Sequence, residues 1–433
     1  MTRKLNKYLK FQLVIYLMLS IYVNNVNSMQ IGYSLSAGVE NSDNITRTSI
    51  NEISGTTRRL GLSASINHHS DSVSFNFTPR IEYFNYTPEE LEDHTLYHLD
   101  SSLLWQIIDS RFFWTFEDYI DQTAINVTAP ETPFNAQTTN VFLTGPDLHF
   151  LLEKGKSIEL LIRYADFYFE VDEELDNQRY GLRLRLISQP SPLFSYSINM
   201  DAVDVSYKEE IFNQNYNRYD VYLEANKLGN LYNLDLTLGY SIVEREFSED
   251  LIGLLANFNY ELTPSPKSRL IILGRSEYTD SSRNFLQSRA FSEDVRRFNT
   301  AISSEIFYEN YLFGIYQWDD GITTISADAS IADQDYEEET LTEPDRLIKD
   351  AGIQLRRRVT SLTDVFLRAG WRNTNYKRTS REDIDEIYSL GLSYRLSRSL
   401  FITADYEYAA RDSNYIIANY TENSIFFSVV FRR

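Results

Sequence analysis

Cysteine is absent from the 433-residue sequence, which excludes disulfide bonds and any chemistry that requires a thiolate. Long hydrophobic runs are also missing, and without an apolar stretch of about 18 residues no transmembrane helix is predicted. Basic residues are few, with 41 Lys and Arg against 62 Asp and Glu, for a formal net charge of −21. Because binding to phosphate backbones needs surplus Lys and Arg, we do not expect nucleic acid as a partner.

Histidine is scarce as well, and the five histidines form no pattern that indicates a catalytic or metal site. His94 and His98 are four residues apart on one predicted strand face, roughly 13 Å, which is too far for one metal ion. His68 and His69 fall in a predicted turn, and His149 stands alone. The G-x-S-x-G and H-E-x-x-H motifs do not occur. We therefore predict no enzymatic activity, no cofactor and no metal. A barrel hydrolase would need a serine and a histidine that meet near the rim.

What the chain does contain is a strict alternation of apolar and polar residues, most clearly between residues 388 and 431. Alternation with a period of two is typical of a β-strand with one apolar and one polar face. Tyrosine and phenylalanine are abundant, with 31 and 26 residues, which suits the aromatic girdles at the two surfaces of a membrane barrel. The apolar positions of this stretch are Tyr388, Leu390, Leu392, Tyr394, Leu396, Leu400, Ile402, Ala404, Tyr406, Tyr408, Ile425, Phe427, Val429 and Phe431.

The first 28 residues resemble a secretory signal peptide. Four basic residues, Arg3, Lys4, Lys7 and Lys10, precede an apolar core at 11–23 and a small-residue cleavage site at 26–28. Removal of this segment would take the formal charge from −21 to −25. The alternative for these residues is a buried N-terminal helix, which the basic flank disfavours.

Carried along the whole chain, the alternation predicts about 20 strands, within a range of roughly 18 to 22. Turns of roughly two to six residues alternate with polar loops of about seven or more, as in bacterial outer-membrane barrels, whereas a soluble sandwich or propeller has no reason to sort its connections by parity. The sequence therefore predicts an all-β fold: a single transmembrane antiparallel up-and-down β-barrel at 29–433. Composition is uniform and no linker interrupts it.

Two regions are ambiguous. A strand at 298–308, turning at Glu309 and Asn310, is predicted after the loop at 280–295. Asp320-Gly321 is then either a hairpin turn or a bulge in a strand that continues to Ser330; the up-down parity favours the bulge.

Charged residues opposite the apolar stripes are predicted to line the lumen. Rows of basic and acidic side chains can shape the field across a pore and select polar solutes. The alternative is that they pair across strands and only satisfy a polar interior. The candidates are Arg179, Arg183, Arg185, Asp235, Arg356, Arg358, Arg368, Arg372, Asp405 and Glu407.

Acidic loops form a second group of candidates. They contain Glu89-Glu90, Asp172-Glu173-Glu174 and the segment from Asp333 to Asp345. Such loops could bind divalent cations at a lipopolysaccharide surface, but their spacing matches no defined calcium site and solvated loops are the more common outcome.

Three short segments resemble a family of outer-membrane β-barrel porins found with exosortase (PEP-CTERM) and exopolysaccharide systems. They are residues 40–45 (ENSDNI), 140–146 (NVFLTGP) and 420–423 (YTEN), the last followed by alternating apolar residues. The insertion signals of such barrels usually end in an aromatic residue. This sequence departs from that pattern, because its last residue is Arg433 and Phe431 lies two residues before it.

The resemblance implies an outer-membrane location in a Gram-negative bacterium, reached by Sec-type export and signal cleavage, with surface polysaccharide as the context. We expect contacts with lipid, lipopolysaccharide and the barrel assembly machinery, and a porin-like channel or export component for a polar substrate. The alternative is a plugged structural or docking barrel whose acidic external loops bind a surface partner.

Overall fold

A computed structural model describes residues 29–88, 90–208, 215–246, 248–280, 306–337 and 344–433. The described residues form twenty antiparallel β-strands in one closed sheet. Each strand pairs with its neighbours in sequence, and β1 pairs with both β2 and β20, which closes the barrel. The predicted signal peptide lies outside the described residues.

The strands are 12 to 18 residues long, more than the roughly 9–11 residues that cross a membrane. In the part of the chain that the structure describes, three short 3₁₀ turns lie in the connections: Pro133–Asn135, Glu173–Leu175 and Ile416–Ala418. No helix in the described part of the chain is long and apolar enough to span a membrane. The strands are β1 Met29–Ser42, β2 Gly55–His69, β3 Val73–Thr87, β4 His94–Ile108, β5 Phe112–Ala124, β6 Ala136–Glu153, β7 Lys156–Phe169, β8 Asn177–Ser191, β9 Phe194–Tyr207, β10 Tyr216–Leu228, β11 Tyr232–Arg245, β12 Leu251–Ser265, β13 Ser268–Thr279, β14 Phe307–Asp319, β15 Thr323–Tyr336, β16 Arg346–Arg358, β17 Thr363–Tyr376, β18 Glu382–Arg395, β19 Leu400–Ser413 and β20 Tyr420–Arg432.

The two ends of the barrel differ in their connections. At one end, which we call the short-turn end, consecutive strands are joined by two to four residues. At the opposite end, the loop end, the connections have five or more residues, and the longest covers 280–306. The predicted alternation of short and long connections is confirmed, although several loops are shorter than the seven residues expected.

The apolar stripes face outward. The exposed fractions of Leu35, Leu62, Leu238 and Tyr240 are 49, 51, 60 and 65%. Large apolar side chains exposed on strand after strand are unusual for a soluble monomer, whose contiguous apolar patches rarely exceed a few hundred Å². Outward aromatic residues near the short-turn end are Trp105, Tyr196, Tyr316, Tyr394 and Phe431. Those towards the loop end are Tyr83, Tyr180, Tyr219, Tyr240 and Trp371. The barrel thus carries an aliphatic belt with aromatic residues towards both ends, the surface expected against lipid.

Two predicted details near the middle of the chain are wrong. Asp320-Gly321 is a hairpin turn between β14 and β15, not a bulge, and Gly321 adopts φ +84°. Glu309 and Asn310 do not turn either; they lie within β14 and pair with Glu277 and Ser276 of β13. Residues 298–305 of the additional predicted strand lie outside the described residues.

Candidate functional site

The inner surface of the barrel is polar along its length. Every second residue of each strand faces inward, and these are mainly the polar residues of the alternating pattern. Serine and threonine hydroxyls pair across strands in the middle of the wall, as in Ser34–Ser63 at 2.7 Å and Thr403–Ser428 at 2.6 Å. Without water in the bilayer to satisfy them, such groups are stable only on the inside of a closed barrel. The inner surface is therefore the candidate functional site.

Two of the predicted arginines sit on β8 with carboxylate partners on neighbouring strands. Arg183 binds both oxygens of Asp201 at 2.7–2.9 Å, a two-pronged pair on β9. Arg185 contacts Glu159 on β7 and Glu224 on β10, each at 3.0 Å. Arg183 and Arg185 therefore link β7, β8, β9 and β10. This arrangement is consistent with charges that only pair across strands and also with a charged lining of the lumen.

Arg179, nearer the loop end of β8, is more enclosed. Its side chain is 11% exposed and holds Asp280 through two hydrogen bonds of 2.8 and 3.1 Å. The Tyr216 hydroxyl also donates to Asp280, at 2.5 Å, and Arg179 stacks over the Phe167 ring at 4.6 Å. This group joins β8 and β10 to the residue after β13, so it crosses the interior of the barrel.

The predicted acidic residues are held mainly by neutral or distant partners. Asp235 on β11 accepts hydrogen bonds from Asn226, Asn233 and Asn259. Glu407 on β19 lies 3.4 Å from Arg47, whose loop joins β1 and β2.

Asp405, also on β19, has one buried carboxylate oxygen without a hydrogen-bond partner among the described residues.

The remaining predicted arginines lie on β16 and β17. Arg356 and Arg358, at the short-turn end, share the Asp364 carboxylate at 2.7 and 3.8 Å. Arg372 pairs with Asp350 at 2.6 Å and lies 3.7 Å from Glu131. Arg368 forms no ion pair with a carboxylate of the described residues. That these side chains line a conducting lumen stays a prediction.

Exposure of the inward arginines changes along the barrel axis. At the short-turn end the Arg356 and Arg358 side chains are 64 and 52% exposed. At the loop end the side chains of Arg218 and Arg411 are 6 and 8% exposed. The inward arginines are therefore accessible to water at the short-turn end, whereas at the loop end neighbouring side chains fill the space around them.

A buried polar network missed by the sequence analysis contributes to this filling. Arg218 on β10 binds Asp220 at 2.9 Å, the Ser241 hydroxyl at 2.9 Å and the Tyr278 carbonyl at 2.5 Å. Its guanidinium also lies 3.5 Å from Glu277, whose side chain is fully buried. Alternation places these residues inward, but the sequence carries no signal of which charges meet.

The loop at 125–135, between β5 and β6, is the second feature that was missed. The Thr128 carbonyl accepts hydrogen bonds from Arg381 at 2.8 Å and Arg411 at 3.1 Å. Arg381 lies just before β18 and Arg411 lies on β19, so both belong to a part of the wall far from β5 and β6. Arg47 donates to the Glu131 carbonyl at 3.0 Å. The sequence predicted a long, proline-containing loop here. Its contacts show that it folds into the mouth of the barrel, and we call it the inward loop.

The inward loop has its own internal structure. Asn126 and Asn135 clasp its two ends, since the Asn126 amide donates to the Asn135 side chain at 2.9 Å and Asn135 donates back at 2.8 Å. Phe134 packs against Tyr86 and His94, with ring centroids 5.2 and 5.0 Å apart. A loop closed on itself in this way keeps its shape where it crosses the mouth.

Arg47 carries a permanent charge at this position. Burial lowers the pKa of the Arg47 guanidinium, but Tyr420 and the carboxylates of Glu422 and Glu407 raise it by more, so the net shift is upward. A cation that stays charged at every physiological pH holds both the Glu131 carbonyl and, at 2.7 Å, the Glu422 carboxylate. The inward loop is thus anchored by charge-assisted hydrogen bonds.

The predicted acidic loops form polar contacts where they can be described, and Asp333 lies within β15 and not in a loop. Asp333 lies 2.7 Å from Lys377, and Asp345 accepts the Tyr336 amide at 2.8 Å. Within the described ranges no group of three or more His, Asp or Glu side chains could hold a metal ion. Glu89 and residues 338–343 of these loops lie outside the described residues.

Comparison with known proteins adds one family match. Residues 320–433 match the family model described as "Putative beta-barrel porin 2". The C-terminal part of the chain is similar to a β-barrel porin family. That segment contains β15 to β20, the wall that carries Arg356, Arg358, Arg368 and Arg372. No curated protein sequence is significantly similar to this chain.

Solved structures that match this chain include a ferric enterobactin receptor, an iron transporter and a copper transporter. A mutant of the ferric enterobactin receptor PfeA from Pseudomonas aeruginosa is 9% identical, with a TM-score of 0.49, covering 93% of this chain and 80% of that chain. The FrpB iron transporter from Neisseria meningitidis is 9% identical, with a TM-score of 0.46 and coverage of 95% and 83%. The copper transporter OprC is 8% identical, with a TM-score of 0.45 and coverage of 93% and 81%. Likeness at this level carries no information about what this chain binds.

The porin match, the closed up-and-down barrel and the outward apolar belt together identify an outer-membrane β-barrel protein.

Proposed function

We propose that this protein is a porin-like channel or export component that passes small polar solutes through its lumen, with the inward loop as the narrowest point. The observation that carries this is the set of contacts between the Thr128 carbonyl and Arg381 and Arg411. These arginines belong to the β17–β19 wall, whereas the loop starts from β5 and β6. A loop bound to a distant wall crosses the path that a solute would take.

Hydrogen bonds from three charged side chains anchor the inward loop. Hydrogen bonds from charged groups contribute roughly 1.5–3 kcal/mol each. Three of them join the loop to Arg47, Arg381 and Arg411. Together they contribute roughly 4.5–9 kcal/mol, which favours a loop held across the lumen.

The chemical character of the lumen favours a polar substrate and no covalent chemistry. The inner wall presents hydroxyls, amides and paired charges, and we propose a non-enzymatic role without a cofactor. The resemblance to porins of exosortase and exopolysaccharide systems makes extracellular polysaccharide the first substrate class to test. Lipopolysaccharide and the barrel assembly machinery are the proposed partners in the membrane, after export and cleavage of residues 1–28.

The test is single-channel conductance of the folded mature chain in a planar bilayer. We expect small steps for the wild type and larger steps when residues 127–134 are replaced by a short glycine-serine linker. The control variant Ile416→Ser/Ile417→Ser changes two exposed residues of another loop, at 77 and 60% exposure, and should conduct like the wild type. If the wild type shows large conductance steps and the linker variant shows steps of the same size, the inward loop is not the constriction.

A second candidate function is a docking barrel that does not conduct. The fully buried Glu277 and the enclosed Arg218 favour it, because they fill the interior at the loop end. A silent bilayer from both folded proteins, wild type and linker variant, would select the docking barrel. If steps are seen, Arg183→Glu/Arg185→Glu should shift ion selectivity towards cations, since both arginines face the lumen. Turnover of a chromogenic ester would contradict the non-enzymatic role.

A further inference from the structure

Four inward arginines line one cavity at the short-turn end of the barrel. They come from three strands of the same wall: β16, β18 and β20. The cavity has a volume of about 310 Å³ and also contains the hydroxyls of Ser393 and Thr403. The arginine cluster consists of Arg356, Arg358, Arg395 and Arg432.

The positive charge of the arginine cluster is not balanced by its surroundings. Asp364 is the carboxylate among the cavity-lining residues, and it is shared by Arg356 and Arg358. Neither Arg395 nor Arg432 forms an ion pair with any carboxylate of the described residues. The cavity therefore carries four positive charges against one negative charge.

Phe401 on β19 positions the two arginines that have no carboxylate partner. The Arg432 guanidinium lies 4.1 Å from the centroid of the Phe401 ring, and that of Arg395 lies 5.8 Å away. Contact with an aromatic face satisfies the plane of a guanidinium and leaves the N–H groups at its edge free to donate. Two planar donors held on one ring are prepared for an oxygen-rich anion.

Several other inward arginines of the barrel have partners of opposite charge, although Arg368 forms no ion pair with any carboxylate of the described residues. Arg183 is matched by Asp201, Arg179 by Asp280 and Arg411 by Asp385. Like charges held together without counter-charge are unfavourable, and a bound anion removes that repulsion. An excess of positive charge is unexpected in a chain whose formal charge is −21.

We propose that the arginine cluster binds a soluble anion that bears phosphate or carboxylate groups and enters from the short-turn side. The side chains face the lumen, since they share an inward register with Ser393 and Thr403, so a lipid headgroup outside the barrel does not reach them. Exposure of 64 and 52% for Arg356 and Arg358 leaves the site open to water. The site requires no conduction, and its test is independent of the proposed channel.

The test is calorimetric titration of the folded mature chain with inorganic pyrophosphate and, separately, with glucuronate oligomers in zwitterionic detergent at low salt. We expect saturable binding that Arg395→Gln/Arg432→Gln weakens at least tenfold. The control is Arg357→Gln, which removes one positive charge from β16, the strand of Arg356 and Arg358, at a position facing outward. That control should bind like the wild type.

A conservative variant separates loss of the site from loss of the fold. Arg395→Lys/Arg432→Lys keeps the charge but removes the planar donor edge, so its affinity should lie between those of the wild type and the glutamine variant. Heat-modifiable mobility on gels shows that each variant is folded. No binding of either probe by the wild type, or equal weakening by Arg357→Gln, would overturn the proposal.

The source of the anion is decided in nanodiscs. Equal pyrophosphate affinity in phosphatidylcholine discs and in discs with phosphatidylglycerol supports a soluble ligand. Competition by phosphatidylglycerol would show that anionic headgroups occupy the cluster, and it would overturn the assignment of a soluble ligand.

Discussion

The buried ion pair between Arg179 and Asp280 offers the sharpest test of how the loop end is held closed. The change Asp280→Asn keeps the shape of the side chain and removes its charge. Arg179 then keeps the Asn177 side chain at 2.9 Å and the face of Phe167, but it has no carboxylate partner among the described residues. Its side chain is 11% exposed, so water cannot replace the lost partner fully.

The expected loss follows from the cost of leaving a charge buried. Removing one partner of a buried pair typically costs about 3–5 kcal/mol. The asparagine oxygen still accepts one hydrogen bond, so we expect the lower end, about 3 kcal/mol, equivalent to roughly a hundredfold change in the unfolding equilibrium. The assay is urea unfolding in lipid vesicles, followed by tryptophan fluorescence and gel mobility.

A double mutant without either charge and an exposed ion pair supply the controls. Arg179→Met/Asp280→Leu removes both charges and should recover most of the stability that Asp280→Asn loses. Glu261→Gln breaks a pair with Arg269 that has the same two-pronged geometry, at 2.7 and 3.0 Å, but is exposed; it should cost less than about 1 kcal/mol. Equal losses for Asp280→Asn and Glu261→Gln would refute the argument from burial.

Two further predictions concern packing and pH. Gly145→Ala should lower stability by about 1–3 kcal/mol, because a Cβ would sit 1.8 Å from the Ile162 carbonyl; Gly314→Ala, which meets nothing within 4 Å, should be nearly neutral in the same urea assay. Asp176 lies in the loop between β7 and β8 and accepts a hydrogen bond from the Phe169 amide at the end of β7. Burial raises the pKa of the Asp176 carboxyl. A raised carboxyl pKa penalises the ionised folded state, so wild type should gain stability relative to Asp176→Asn as pH falls from about 7 towards 4. A difference that stays constant with pH would contradict this.

The barrel could be predicted because its physical constraint repeats at every second residue. Lipid outside and a polar interior force the alternation seen in β18 to β20, and short turns mark one end. The same rule failed around Asp320. An additional strand before Glu309 shifted the parity count by one, and the count then demanded a bulge.

Local turn chemistry at this position indicates a hairpin. The Asp319 carboxylate accepts the Gly321 amide at 2.6 Å, and Asp320 accepts the amides of Ile322 and Thr323 at 2.9 and 2.7 Å. Aspartates that accept nearby amides, followed by a glycine with positive φ, are typical of a tight turn. These hydrogen bonds also lower the pKa of the Asp320 carboxyl, through the amides of Thr323 and Ile322. Local evidence should outweigh a parity count that depends on every preceding element.

The candidate site was less predictable, because its contacts join residues far apart in sequence. Alternation predicts an inward position for Arg372, whereas Arg411 falls in a predicted polar loop, and neither pattern shows that Glu131 and Thr128 meet these arginines. The contact between Arg411 and Thr128 spans 283 residues. Such pairs depend on barrel closure and loop conformation, which no local pattern encodes.

The difference between the two ends gives the charges of the lumen different roles. At the loop end, Arg218 and Glu277 are buried, so salt screens them weakly and they act mainly on structure. At the short-turn end, Arg356 and Arg358 are exposed to water, so their field reaches solutes and is screened at physiological salt over about 8 Å. One alternating pattern therefore produces enclosed charges at one end of the barrel and water-exposed charges at the other. Which role a given arginine takes depends on its distance from the loops, because only the loop end has enough chain to exclude water from it.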